Sequence, residues 1–207
     1  MNNHTSSLEL SHFPVMLNEV IKISTPSKGG TYIDCTFGGG SYSKQLLKFT
    51  KTIVKGLDRD SKVQKIGKEL EKKFPQRFKF YQITFSQINT ISKNNADVII
   101  FDLGLSSIQL NNLERGFSFK SKEGLDMSMG LNQISAQDAV NNLSELDLKL
   151  IIKILGEEKE ASRIAKNIVK SRNEKKITKV QELVQIIEKS KKKNYSSKIN
   201  PCTKTFQ

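Results

Sequence analysis

Histidine and cysteine are scarce in this 207-residue chain, which has two of each: His4, His12, Cys35 and Cys202. The two cysteines lie far apart and in no ligand-type spacing, which argues against a zinc site or disulfide framework and for two reduced thiols. With both histidines near the start of the chain, a catalytic imidazole or a metal site is not expected. No stretch approaches the roughly 18 unbroken apolar residues of a membrane helix. Residues Met1 to Ser11 are polar, include Glu9, and lack both the basic-then-apolar pattern of a secretory signal and the arginines of a transit peptide. These absences point to a soluble, cytoplasmic protein with no metal and no membrane partner.

What is present is enough apolar material for a core, 36% of residues, and a formal net charge of +13. Such a charge suits an anionic partner such as RNA. From Ile151 to Gln207 lysine and arginine outnumber aspartate and glutamate 15 to 6, so most of the excess lies in the last quarter. General lysine use as a solubiliser would produce the same number, and the Lys189–Lys193 stretch reads simply as a solvated helix end or loop.

The first half alternates in period. Helical spacing over Met16 to Ile23, Ser43 to Phe49 and Lys62 to Phe74 separates β-rich runs at Thr31 to Thr36, Thr52 to Asp58, Phe78 to Ile83 and Asp97 to Asp102, with a helical turn at Phe85 to Ile91. Alternating strands and helices predict a parallel, doubly wound α/β sheet. The last strand is apolar throughout, as a strand buried on both faces would be. From Leu103 to Met129 the chain reads as loop. From Ala136 onward it reads as a small helical unit, with Leu146, Leu150 and Ile154 sharing one face, Ile164, Ile168 and Arg172 a second, and Val180, Leu183, Ile186 and Ile187 a third. The division falls after residue 110, with 1–110 as the α/β part and 111–207 as the helical part.

Four segments have the composition of a site. Asp34-Cys35-Thr36-Phe37-Gly38-Gly39-Gly40 ends the first strand in glycines that let backbone N–H groups approach a ligand, although a glycine turn is equally a plain connection. Asp58 ends the second strand, 20 residues after Gly38, where a carboxylate can accept from ribose hydroxyls or simply shape a turn. The loop does not match a strict pyrophosphate fingerprint, and Asp34 lies beside it. Both features favour an adenosine cofactor without phosphates, such as S-adenosylmethionine. Asp102-Leu103-Gly104-Leu105-Ser106-Ser107 follows the fourth strand, where ligands of open α/β sheets bind; its carboxylate could orient an exocyclic amine for in-line attack. Glu114-Arg115-Gly116-Phe117-Ser118-Phe119, with Leu125 to Met129 beyond it, has an arginine and aromatics able to stack on a base or to pin the loop to a core.

Together these motifs closely resemble the small-subunit (16S) ribosomal RNA (cytosine-N4-)-methyltransferase family, also called MraW or RsmH. The resemblance rests on His12 to Val20, Tyr32 to Gly38, Gly56 to Asp60, Asp102 to Leu110, Glu114 to Phe119, Leu125 to Met127, Gly156 to Glu158, Arg163 to Ala165 and Thr203 to Gln207, in that order. It implies a Rossmann-like methyltransferase sheet with an inserted helical subdomain, and methyl transfer from S-adenosylmethionine to N4 of a cytidine in small-subunit rRNA or the assembled small subunit. It implies cofactor contacts from Gly40, Ser41, Tyr42, Asp58, Phe85, Asp102 and Gln109, with Asp102 also the catalytic candidate. RNA contacts are expected from Arg115, Phe117 and Phe119.

The chain departs from the family pattern twice. Gly38-Gly39-Gly40-Ser41-Tyr42-Ser43 stands where the family has Gly-x-Gly-Gly-His-Ser, so a serine replaces a glycine and a tyrosine a histidine. The family also continues past Thr-Phe-Gln into further strands, so the sheet here is expected to be incomplete, with an unpaired edge and exposed apolar surface. Two other readings stay open: a methyltransferase of the same fold acting on another nucleic acid or a protein, and a non-catalytic RNA-binding fragment.

Overall fold

A computed structural model describes residues 14, 16–92, 95–131, 134–191 and 199–207. The expected motif residues His12, Phe13 and Val15, and the end of the lysine run at 192 and 193, lie outside the described residues. The chain forms two compact units, Met1–Ser107 and Ile108–Gln207.

The first unit is an α/β layer structure. Its described strands are β1 (Gly30–Asp34), β2 (Thr52–Leu57), β3 (Phe78–Tyr81) and β4 (Val98–Ile100), all parallel, in the order β3-β2-β1-β4. The helices are α1 (Leu17–Ser24), α2 (Ser41–Leu46) and α3 (Gln64–Lys73), with a 3-10 segment at Phe85–Thr90. Side chains alternate across a strand, and β1 therefore serves both faces. Tyr32 joins Leu46, Val54, Leu70, Phe78 and Phe80 in one cluster, which Leu17, Val20 and Ile66 flank. Ile33 joins Cys35 and Leu57 on the other, beneath Ile83, Ile88 and Ile91 around the 3-10 segment.

One expectation changes. β4 reads as buried on both faces, yet Ile99 is 48% exposed while Ile100 is 6% exposed. β4 is an edge of the described sheet, pairing with β1 alone; its Val98 and Ile100 side packs against the core, and its Ile99 side is left uncovered. Phe101 and Leu103 continue the exposed apolar strip.

The second unit is helical. After α4 (Ser107–Asn111), at the boundary, come α5 (Ala136–Asn142), α6 (Glu145–Ile154), α7 (Ala161–Glu174), α8 (Val180–Ser190) and α9 (Thr203–Phe206). Ser135 and Asp138 cap α5 reciprocally, and Ser144 accepts from the Asp147 amide to start α6; such oxygens satisfy amides that lack an intrahelical partner. The core unites Leu148, Ile152, Ile164, Ile168, Val180 and Ile187 with neighbouring side chains. The α7 and α8 faces read from spacing point inward. In α6 the shared face of Leu146, Leu150 and Ile154 is exposed, and the buried residues are Leu148 and Ile152. An apolar face in sequence says which residues lie together, and packing decides which way they point.

The family motifs of this unit have a structural use. Cys202 and Phe206 are buried in the helical core. Lys191 forms an ion pair with buried Glu158 and donates to the Pro201 carbonyl at 2.5 Å. Lys204 donates to the Glu157 carbonyl at 3.1 Å. A Cβ on Gly156 would overlap the Lys204 carbonyl oxygen, so the Gly156-Glu157-Glu158 turn and the Thr203–Phe206 helix form a clasp that tolerates no side chain at its closest point.

Candidate cofactor-binding site

In the first unit, β2 and β4 flank β1 on opposite sides, so the chain leaves β1 in one direction and returns on the other. This is the topological switch point where open α/β sheets bind ligands beyond their strand ends. The loops after β1, β2 and β4 meet there. The Asp102 amide donates to the Thr36 hydroxyl at 2.8 Å, and the Gly38 amide donates to the Asp58 carboxylate at 2.7 Å. Three loops distant in sequence are thereby held by two hydrogen bonds.

The glycine loop is curled tightly. Gly38 and Gly40 have φ of 49° and 74°, a left-handed region that side chains disfavour. A Cβ on Gly40 would also approach the Phe37 ring to 2.8 Å. Gly40 precedes α2, whose first residue is Ser41; a serine there occupies ordinary helical backbone at the helix start.

Beneath the loop lies a buried polar group. Asp34 is fully buried, accepting from the Ser43 hydroxyl at 2.7 Å and the Thr36 amide at 3.4 Å. Burial pushes its carboxyl up to about 6, against the pull of those hydrogen bonds. Asp58 is also raised above the usual carboxylate range, chiefly by burial, although the Asp60 and Gly38 amides donate to it. Tyr42 is buried and its phenol is raised, first by burial, then by the Asp102 charge and by a hydrogen bond to that carboxylate. At the outer lip, Phe85 and Phe101 are both about half exposed, with ring centroids 5.5 Å apart and perpendicular planes.

Of the expected cofactor residues, Gly40, Ser41, Tyr42, Asp58, Phe85 and Asp102 all belong to this unit, and Tyr42 and Asp102 are in contact. Gln109 is a buried residue of α4 in the second unit. Of the residues expected to meet RNA, Arg115 and Phe117 are buried and Phe119 is half-buried. Arg115 is buried, donates to the Ser128 carbonyl at 2.6 Å and lies 5.0 Å from the centroid of buried Phe117. Phe119 packs edge-on to Phe206 at 6.3 Å. Both rings are therefore packed within the unit, the second of the two uses that loop aromatics allow.

Three participants escape the sequence reading. Ser43 holds Asp34, Thr36 holds the Asp102 loop, and Phe101 pairs with Phe85. Ser43 had a signal, as a hydroxyl in the first turn of a helix that follows an acidic strand end. Phe101 had none, because its neighbour comes from a segment after β3. Among the described residues no helix is long and apolar enough to cross a membrane, and no group of three or more histidines, cysteines or carboxylates could hold a metal.

Comparison with known proteins agrees with this geometry. The chain is 40% identical over 198 residues to "Ribosomal RNA small subunit methyltransferase H" of Rickettsia massiliae, covering 95% of this chain and 64% of that protein. It is 38% identical over 201 residues to the protein of the same name from Neorickettsia sennetsu, covering 96% and 68%, and 37% identical over 212 residues to that of Brucella ovis, covering 100% and 61%. The chain thus spans about two thirds of the length of these relatives. The model of the MraW methylase family matches residues 9–207, and the chain belongs to that family.

Proposed function

We propose that this chain supplies the cofactor-binding part and a helical RNA-binding part of an enzyme that transfers a methyl group from S-adenosylmethionine to N4 of a cytidine in small-subunit rRNA. The observation that carries the reading is the meeting of Asp58, Tyr42 and Asp102 at the switch point of the sheet, around a glycine turn that carries no phosphate fingerprint.

The residues fit such a cofactor. The Asp58 carboxylate is held by amides of the glycine turn and of its own turn, and a carboxylate with about four acceptor sites keeps capacity to accept from ribose hydroxyls. Phe85, half exposed at the lip, offers an apolar wall for adenine. Gly40 donates its N–H to the Phe37 carbonyl at 2.6 Å and sets the turn, and the Ser41 and Tyr42 amides at the start of α2 are the donors for the amino-acid end. When bound, S-adenosylmethionine supplies an electrophilic methyl on a sulfonium. Asp102 accepts a hydrogen bond from the cytidine amine and aims its lone pair for in-line attack, so that positioning is the main contribution to rate. With the cofactor bound, the amine nitrogen would take the methyl as the sulfur left as a neutral thioether, and the amine would release one proton to water. Gln109 is assigned to the cofactor by family resemblance.

Calorimetric titration of the chain with S-adenosylmethionine is expected to show saturable one-site binding, weakened in Asp58→Ala by roughly 30-fold to 100-fold, as loss of hydrogen bonds to a charged group implies. Absence of binding sinks the cofactor assignment. Incubation of the protein with labelled cofactor and unmodified small ribosomal subunits, followed by digestion to nucleosides, is expected to place label in N4-methylcytidine. Label in another base overturns the substrate assignment, and near-normal transfer by Asp102→Ala removes Asp102 from the reaction.

A further inference from the structure

Phe117 is buried and Phe119 is packed against Phe206, which leaves open where the helical unit meets RNA. A cleft of about 430 Å³ lies where the end of α7, the turn after it and the outer face of α8 meet. Four lysines line it, Lys170, Lys175, Lys176 and Lys189, all exposed. Two carboxylates, Glu174 and Glu182, line it as well.

The second of these is already engaged. Glu182 accepts from the Lys175 ammonium at 2.8 Å, the Thr178 amide at 2.8 Å and the Lys179 amide at 3.0 Å, capping α8. Those contacts hold its carboxyl down at about 2, so its charge is spent on Lys175 and the helix start. Lys176 feels the charge of Asp138 on α5. Among the described residues, neither Lys170 nor Lys189 makes an ion pair. The rest of the lining is uncharged, with polar Asn167, Ser171 and Gln185 beside apolar Ile177 and Ile186, and Asn167 is bonded to Ser190 at 2.8 Å.

We propose that this α7–α8 cleft binds the sugar–phosphate backbone of RNA, with Lys170 and Lys189 contacting phosphates and the amide and hydroxyl groups of the lining contacting ribose. Cations and uncharged donors and acceptors in one cleft match a chain of alternating phosphate and hydroxyl-bearing sugar. Contacts of this kind are indifferent to sequence, so the cleft holds and orients the substrate while selection of the base occurs elsewhere. The inference rests on the proposed function only for the choice of RNA as the polyanion.

The test uses the whole chain and a short fluorescein-labelled oligouridylate, with binding measured by anisotropy across a salt series. Lys170→Gln combined with Lys189→Gln is expected to weaken binding roughly tenfold at ~0.1 M salt and to reduce the log–log salt slope by about 0.7 per lysine. The helical circular dichroism and the affinity for S-adenosylmethionine are expected to stay unchanged. Unchanged RNA affinity and slope in the folded double variant overturns the proposal. Equal binding of polyglutamate by the unaltered chain overturns the assignment to RNA in favour of an acidic protein partner. As a check independent of variant folding, a 4-thiouridine-containing probe photocrosslinked to the unaltered chain is expected to mark peptides within residues 167–189, and crosslinks confined to other segments count against the cleft. Failure of cofactor binding with intact RNA binding rejects the methyltransferase reading and leaves the cleft standing.

Discussion

The two units use buried polar groups in opposite ways. In the α/β unit, Asp34, Asp58, Tyr42 and Asp102 gather at the strand ends, and burial raises the carboxyls of Asp34 and Asp58 and the phenol of Tyr42 above their ordinary values. In the helical unit, Glu158 and Lys191 pair with each other, and Arg115 is bound to the Ser128 carbonyl. Cost that is left partly uncompensated is a mark of a site, whereas a closed set of partners is a mark of a scaffold. The difference separates family motifs that carry the marks of a site from those that carry the marks of a scaffold, which spacing alone does not do.

The sharpest way to break the comparison is the clasp. Gly156→Ala places a methyl group onto the Lys204 carbonyl oxygen, and is expected to destabilise the chain by about 3 kcal/mol, within the range of severe packing conflicts. Urea unfolding followed by circular dichroism measures it. Affinity for S-adenosylmethionine, measured where the variant is folded, is expected to stay within about twofold. A change in affinity as large as the change in stability would mean that the motif belongs to the site after all.

The next largest effect sharpens the other side. Asp34 has a folded pKa of about 6 against an ordinary 3.8, so the folded state holds its proton more tightly than the unfolded state. The unfolded chain therefore carries fewer protons between these values, and stability falls as pH rises from about 4 to about 6. The amplitude is on the order of 3 kcal/mol. Asp34→Asn removes that slope, which urea midpoints across the pH series would reveal. A slope that persists in the variant assigns it to another group.

How far the sequence carries depends on the range of the interaction. Strand and helix identity follow from period, and the parallel sheet appears as the alternation of β-rich runs and helices implies. The placement of Asp58 and Asp102 just beyond β2 and β4 is legible because the β-rich runs that they follow have a clear period. Exposure of Ile99 is not legible, because strand order is a property of pairing and the run Val98-Ile99-Ile100 reads the same at an edge or in the centre. Phe117 and Phe119 show the converse limit. Their loop has the composition of a base-stacking surface, and only the position of Phe206, 87 residues after Phe119, shows that the ring is packed. The clasp is hidden for another reason, since its contacts run through the carbonyls of Glu157, Pro201 and Lys204, and a carbonyl has no letter in the sequence.

Glu182 gives the smallest effect and the finest distinction. It lies at the proposed RNA cleft yet has the closed set of partners typical of the scaffold: Lys175, the Thr178 amide and the Lys179 amide. Its carboxyl is held at about 2, first by the Lys175 hydrogen bond and then by the two amides. A depressed carboxyl stabilises the fold above its unfolded pKa, and that contribution is lost as pH falls from about 4.5 towards 2. Glu182→Gln can still accept from one amide, so it is expected to lower stability at neutral pH by no more than about 1 kcal/mol, as an exposed cap and ion pair imply. It also frees Lys175. If the cleft is an RNA surface, the variant is expected to bind oligouridylate more tightly than the unaltered chain while being slightly less stable. Stability and RNA affinity that fall together would place Glu182, and the cleft around it, wholly within the scaffold.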